Sequence, residues 1–169
     1  DSLVEGSLMR NQVTLLALTL NKLQVIPIIR QSQTIADSGD HNGDPAGIAF
    51  TPNRMLVGLA GVDEVWIIAP AGGERARVRV GKRPRFIATR DHRALVLGEL
   101  DDSVTLIDTT NIEDLRATTS LLDPTTANRP LTPAERGERL FFDARLSAGG
   151  MLSCHSCHTD GHTNGLLAD

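Results

Sequence analysis

Cysteine and histidine side chains are concentrated in one short stretch, residues 152–162, which reads LSCHSCHTDGH. It holds both cysteines of the chain and three of its five histidines. Cys154, Cys157 and His158 form the pattern C-x-x-C-H, the attachment signature of a c-type haem. Two thiols at this spacing can each add to one vinyl group of a porphyrin, and the histidine that follows is carried under the ring to the iron. We therefore predict a covalently bound haem c, with Cys154 and Cys157 as attachment residues and His158 as the proximal iron ligand.

Two other uses of these side chains have to be weighed against haem. Cys154, Cys157, His158 and His162 offer a Cys₂His₂ set for zinc, but the usual long loop between the cysteine pair and the histidine pair is absent. A redox dithiol would want the C-x-x-C pair to open a helix in a βαβ unit, and the upstream sequence has no such pattern. Haem is therefore favoured. The sixth ligand stays open, because Met151 and His162 lie too close to the tether to reach the far face of the ring.

The segment before the cysteines carries clear signals for the start of a helix. Residues 121–131 contain two prolines and no periodicity, which is typical of a linker. Thr132 then stands at the N-cap position, Pro133 at the first helical position and Glu135 at the third. Threonine followed by glutamate three residues later is a capping box, and proline suits the first turn. We predict a helix that begins after Thr132.

An internal repeat organises the middle of the chain. Residues 44–69 align without gaps on residues 83–108, at an offset of 39 residues. Each copy predicts a strand, a polar turn, a second strand, an acidic turn and a third strand, because β-branched residues fill the runs and Gly, Pro, Asn and Asp fill the breaks. In the first copy the predicted strands are residues 47–50, 55–59 and 65–68. A partial third copy, residues 13–29, precedes them, with a hairpin turn at Asn21 and Lys22.

A period of about 40 residues with three or four short strands is typical of a β-propeller blade. We predict a mainly β fold, with a partial propeller of about three blades in residues 1–120. Because a propeller closes with roughly 4–8 blades, we expect the remaining blades or partner segments to complete the ring. The alternative is an open antiparallel β-domain whose two similar units arose by duplication.

These repeats resemble the bacterial β-propellers of the YVTN type, also called lactonase-like. The resemblance is carried by the copy starts at residues 43–49 and 83–88 and by the copy end at residues 102–108. It implies the propeller fold for this region. Motifs of this kind specify a fold well and a function poorly.

Residues 137–165 resemble the first haem region of the bacterial di-haem cytochrome c peroxidases, in which L-F-x-D-x-R-L-S leads through a glycine turn into S-C-x-x-C-H and then toward T-x-G. The matching residues are Leu140, Phe141, Phe142, Asp143, Arg145, Leu146, Ser147, Ser153, Cys154, Cys157, His158, Thr163 and Gly165. The resemblance implies that residues 132–169 are the N-terminal part of a mainly α cytochrome c domain. A second haem, and the calcium ion between the two haems, would lie beyond Asp169. We expect the chain to be an excerpt of a longer protein, since only eleven residues follow His158.

Charge and hydropathy exclude some kinds of binding partner. The net charge of −4 and the absence of a basic cluster argue against nucleic acid and anionic membranes. The most apolar run, residues 13–29, is interrupted by polar residues and proline, so we predict no membrane span.

Asp40, Asn42 and Asp44 alternate as in a calcium loop, but Pro45 stands where a glycine is needed, so an acidic turn is favoured. Asp63 is interpreted in the same way, as a solvated turn residue.

We expect an extracytoplasmic protein, periplasmic or extracellular, because c-type haem is attached outside the cytoplasmic membrane in bacteria. The leading functional interpretation is electron transfer or another haem-dependent redox reaction with redox partner proteins. Electron transfer is favoured, since no residue of the chain offers a distal acid–base group. Two alternatives stay open: a peroxidase-like enzyme that reduces hydrogen peroxide, and a propeller that binds or assembles other redox proteins. A zinc-stabilised interaction module is a third.

Overall fold

The computed structural model describes residues 42–69 and 75–162, together with four two-residue strands nearer the start of the chain. The chain forms two compact units, residues 1–40 and 41–169. In the first unit, β1 pairs antiparallel with β4, and β2 pairs antiparallel with β3. These strands are β1 (Gln12–Val13), β2 (Ala17–Leu18), β3 (Val25–Ile26) and β4 (Gln33–Thr34). The predicted hairpin turn at Asn21 and Lys22 lies outside the described residues.

The second unit contains two antiparallel sheets of four strands each, and in both sheets the strands are neighbours in chain order. The first sheet consists of β5 (Pro45–Thr51), β6 (Arg54–Leu59), β7 (Glu64–Ile68) and β8 (Arg75–Arg79). The second consists of β9 (Pro84–Arg90), β10 (Arg93–Gly98), β11 (Ser103–Asp108) and β12 (Arg116–Leu121). The chain is therefore mainly β, as predicted. The three predicted strands of the first copy lie within β5, β6 and β7, and each sheet adds a fourth strand.

The sequence repeat is also a repeat of backbone geometry. The first three strands of the second sheet begin 39 residues after their counterparts in the first. Asp44 and Arg83, which precede β5 and β9, both have left-handed backbone, with φ of 50° and 56°. Asp63 and Asp102, which precede β7 and β11, do so too, with φ of 63° and 47°. Left-handed φ is uncommon outside glycine, so shared positions of this kind indicate one turn geometry used twice.

The core of this unit lies between the two sheets. Strand β9 packs against β5 and β6. The buried cluster combines one face of each sheet: Leu56, Val65 and Ile67 from the first, and Ala94, Val96 and Ile107 from the second. Burying a large aliphatic side chain contributes about 1.5–3 kcal/mol, so this cluster stabilises the pair of sheets.

Within the part of the chain that the structure describes, helical structure is confined to the segment after β12. Helix α1 (Pro133–Phe141) and the single turn α2 (Cys154–Cys157) are the two α-helices of the described residues, accompanied by short 3-10 turns. Helix α1 begins as predicted: the Glu135 N–H donates to Thr132 Oγ1 at 3.3 Å, and the Thr132 N–H donates to Glu135 Oε2 at 2.7 Å. No helix among the described residues is long and apolar enough to cross a membrane.

Candidate haem-attachment site

The structure brings the three predicted site residues onto one helical turn. Cys154 and Cys157 are the first and last residues of α2, and His158 follows directly. The His158 N–H closes the turn by donating to the Cys154 carbonyl oxygen at 2.9 Å. Residues three apart on a helix are neighbours on its surface. Both cysteines are free thiols, and both are exposed to solvent, as is His158.

The other side of this turn is tied to the first sheet through Asp44. Ser156 Oγ donates to Asp44 Oδ1 at 2.5 Å, and Ser153 Oγ donates to Asp44 Oδ2. The two serines are also linked, because the Ser153 N–H donates to Ser156 Oγ at 2.9 Å. Ser153 is buried. Hydrogen bonds to a carboxylate are among the stronger ones in proteins, so Asp44 is an anchor for the turn.

Contacts among three side chains, His155, Phe142 and Arg83, join the turn to the second sheet. The His155 ring lies 4.9 Å from the Phe142 ring, centroid to centroid. The Arg83 guanidinium carbon lies 3.5 Å from the Phe142 ring centroid, a cation–π contact. Arg83 is only 6% exposed, and its Nη1 pairs with Glu99 Oε2 at 3.1 Å. Burial lowers the pKa of Arg83, and the nearby charge of Glu99 opposes that effect.

Ala144 fits into a notch made by two glycines of the first sheet. It is fully buried, and its N–H donates to the Gly61 carbonyl oxygen at 2.8 Å. A Cβ placed on Gly43 would lie 2.1 Å from the Ala144 Cβ, and one placed on Gly61 would lie 2.7 Å from it. Real carbon atoms do not approach so closely, so the absence of side chains at these two positions permits the contact.

Asp63 is an interface residue, and the interpretation of it as a solvated turn residue was wrong. Its side chain is 14% exposed, and Oδ2 pairs with Lys82 Nζ at 2.7 Å and with Arg145 Nη2 at 3.0 Å. Its Oδ1 accepts the Arg83 N–H at 3.1 Å. The hydrogen bond that Arg145 donates to the Asp143 carboxylate raises the pKa of Arg145. Burial alone would raise the pKa of Asp143, but the hydrogen bonds and charge of Arg145 lower it below its ordinary value.

The side chains considered for metal ions do not converge. Within residues 42–69 and 75–162, no three His, Cys, Asp or Glu side chains are grouped as ligands for a metal ion. Of the three residues that alternate as in a calcium loop, Asp40 lies outside the described residues, and Asp44 binds the two serines. Asn42 Oδ1 accepts a hydrogen bond from Arg77 Nη1 at 3.0 Å.

Met151 and His162, the two residues near the tether that were considered as sixth iron ligands, differ in exposure. His162 is exposed, and Met151 is half-buried. Sequence reasoning missed the role that three residues, Asp44, Arg83 and Phe142, play at this site. The serines that precede both cysteines were a signal for the first of them.

Comparison with known proteins bears on this segment alone. Residues 132–166 match the family model of di-haem cytochrome c peroxidase. The match covers about a fifth of the chain and includes α1, α2 and the C-x-x-C-H pattern. It supports the haem-domain interpretation of this segment and a haem-dependent redox role. Neither curated proteins nor solved structures give a significant match to the chain.

Proposed function

We propose that the chain belongs to an extracytoplasmic c-type haem protein that acts in electron transfer. The observation that carries this proposal is the C-x-x-C-H turn, which presents two free thiols and an imidazole to solvent within a segment that matches a haem-protein family. Cys154 and Cys157 would attach the haem, and His158 would be its proximal ligand. The haem, when bound, supplies one-electron chemistry between ferric and ferrous iron.

The side chains around the C-x-x-C-H turn fit a covalently attached haem because of how the turn is oriented. Both thiols are accessible, while the serines beside them are engaged with Asp44. The aromatic rings of Phe141 and Phe142 lie edge to face with centroids 5.0 Å apart, and Phe142 contacts His155 between the two cysteines. The chain's own contribution is to hold the attachment turn in one orientation and to place an apolar aromatic pair beside it.

The first experiment asks whether haem is attached at all. The chain is expressed in the periplasm of a bacterium that matures c-type cytochromes, and its intact mass and pyridine haemochrome spectrum are measured. We expect one covalently bound haem, lost in Cys154→Ala/Cys157→Ala. His158→Ala should retain the thioether bonds but change the Soret and α bands, whereas the control His162→Ala should leave both unchanged. A wild-type chain that matures without added haem mass refutes the proposal.

A peroxidase-like enzyme is the second candidate, and the family match is the observation that favours it. The two candidates differ in whether the haem iron keeps a coordination position open for hydrogen peroxide. If the spectrum of the haem-loaded chain is that of six-coordinate low-spin iron and hydrogen peroxide does not change it, the protein is an electron carrier. Measurable peroxide turnover with a reduced cytochrome as donor assigns the enzyme instead.

We further propose that the two sheets are consecutive blades of a β-propeller. The support is that each is a four-stranded antiparallel meander and that their first strands lie side by side. Leu56 and Ile67 of the first sheet are fully buried against the second, whereas their equivalents Leu95 and Leu106 are 50% and 42% exposed. The exposed face of the second sheet is equivalent to the buried face of the first. A further sheet of the same repeat would therefore cover it.

The propeller proposal has a direct test on this uncovered face. In the protein purified from its own cells, Leu95→Ser/Leu106→Ser should lower the melting temperature if a further sheet covers the face. Ala117→Ser, on the exposed edge strand β12, is the control: Ala117 pairs with Ile107 and so lies on the other face of the sheet. If the leucine substitutions leave the melting temperature unchanged, the face is open, and an open β-domain or a module that binds other redox proteins is the better description.

A further inference from the structure

Asp44 and Arg83 hold equivalent positions in the two copies of the repeat, 39 residues apart. Each stands directly before the first strand of its sheet and has left-handed backbone. The side chains at the two positions carry opposite charges. Both contact the segment that carries C-x-x-C-H, one through serines and the other through a phenylalanine. The same turn of the repeat is therefore used twice to contact one partner segment.

Serines and cysteines alternate around the attachment turn, which we define as residues 153–158. Ser153 precedes Cys154, and Ser156 precedes Cys157. With 3.6 residues per helical turn, residues i and i+3 share a face, so the serine pair lies on one face and the cysteine pair on the next. Since both serine hydroxyls donate to one carboxylate, the direction in which the cysteines point is fixed relative to the first sheet.

His155, which lies between the two cysteines, is held from another side. It contacts Phe142, which in turn lies over the buried guanidinium of Arg83. Its Nδ1 also accepts the Asp160 N–H at 3.4 Å, which connects it to the chain after His158. The attachment turn is thus held by an anion from the first sheet and, through an aromatic ring, by a cation from the second.

We propose that Asp44 is a positioning residue for haem: it fixes the attachment turn on the β-sheet unit, with Arg83 supporting the opposite side. This inference rests on the proposed haem function, and it adds that the β repeats are part of the haem site. The sheets set the orientation of the two thiols and of the proximal imidazole, and they place one negative charge beside the turn.

The test variant is Asp44→Asn, because asparagine tolerates the left-handed backbone that alanine would strain. It removes the charge and leaves one acceptor oxygen for two hydroxyl donors. The matched control is Asp91→Asn, at an exposed turn with φ of 52°, which loses the same charge from the same backbone conformation at the other end of β9. A second variant, Ser153→Ala/Ser156→Ala, breaks the same contacts from the other side.

Two readouts distinguish positioning from a general loss of stability. Amide hydrogen exchange within residues 154–158 should become at least tenfold faster in Asp44→Asn and in the serine variant, with β6 and β7 unchanged. In the haem-loaded chain, both variants should shift the midpoint potential, and Asp91→Asn should not. The combined variant should show no larger effect than the stronger of the two, since both remove one set of hydrogen bonds.

Additive effects of the two variants, or wild-type exchange and potential in Asp44→Asn, would overturn the inference. The failure of the proposed function looks different. If the wild-type chain takes up no haem, the function is wrong, while hydrogen exchange in the haem-free chain still shows whether Asp44 holds the turn.

Discussion

Gly43 and Ala144 are packed so closely that a single added methyl group tests the interface between the first sheet and the haem segment. An ideal Cβ on Gly43 would lie 2.1 Å from the Ala144 Cβ and 3.0 Å from the Gly150 carbonyl oxygen. Carbon atoms in contact sit about 3.5–4.0 Å apart, so Gly43→Ala forces a displacement of roughly 1.5 Å. The neighbours are a methyl group and backbone, which cannot rotate away as a long side chain does.

Overpacking of this kind costs about 1–3 kcal/mol, and we expect about 2 kcal/mol here because Ala144 is fully buried. For a unit of this size the melting temperature should fall by roughly 6–8 °C. Urea unfolding followed by circular dichroism gives the free energy, and hydrogen exchange shows where the loss occurs. Protection should be lost first in the segment around Ala144, while β6 and β7 stay protected.

The matched control is Gly137→Ala, in the interior of α1. Nothing lies within 4 Å of a Cβ placed on Gly137, and alanine is better than glycine inside a helix by about 0.5–1 kcal/mol. The same chemical change should therefore stabilise the chain at Gly137 and destabilise it at Gly43. A Gly43→Ala chain that unfolds at or above the wild-type urea midpoint refutes the reasoning, as does an equal loss at both positions.

Two further predictions follow from the hydrogen bonds. Hydrogen bonds from Arg129 and from the helix N-cap lower the pKa of Glu135 to about 2; its stabilising effect is present above the ordinary glutamate pKa of about 4.3 and lost as the pH falls toward 2. Glu135→Gln should remove this pH dependence of α1, measured by NMR. Thr105 Oγ1 accepts the buried Gly81 N–H at 3.2 Å, so Thr105→Val should destabilise by about 1–3 kcal/mol in urea unfolding.

Local signals in the sequence were sufficient for α1 and for three strands of the first sheet. The capping box is contained within four consecutive residues, so the atoms that decide it are close in sequence as well as in space. Apolar runs of β-branched residues likewise predict strands buried on one or both faces. Features of this kind depend little on the rest of the chain.

The fourth strands escaped prediction because their side chains do not have to be apolar. Strand β12 reads RATTSL, and five of its six residues are exposed; β8 reads RARVR. Each stands at the edge of its sheet, where one side of the strand meets solvent and charge is favourable. These strands are defined by backbone hydrogen bonds to β7 and β11, which leave no hydrophobic pattern in their own residues.

The contacts that hold the attachment turn could not be predicted from the local sequence, for a different reason. Asp44 is separated from Ser153 and Ser156 by 109 and 112 residues, and nothing near Asp44 in the sequence indicates such a partner. Its alternation with Asp40 and Asn42 directed attention to calcium, although the carboxylate binds hydroxyl groups. Only the repeated Ser-Cys pairs indicated that a second face of the turn, the one with the serines, needs hydrogen-bond partners.

Differences between the two copies of the repeat are informative here, because the copies share a backbone but not their neighbours. The copies are identical at Pro45 and Pro84, the residues that begin the first strand of each sheet. At the turns that face the haem segment they diverge. Gly43, which makes room for Ala144, corresponds to Lys82, which pairs with Asp63. At this turn the departure of one copy from the other marks a surface that the first copy uses alone, and that surface lies against the haem segment.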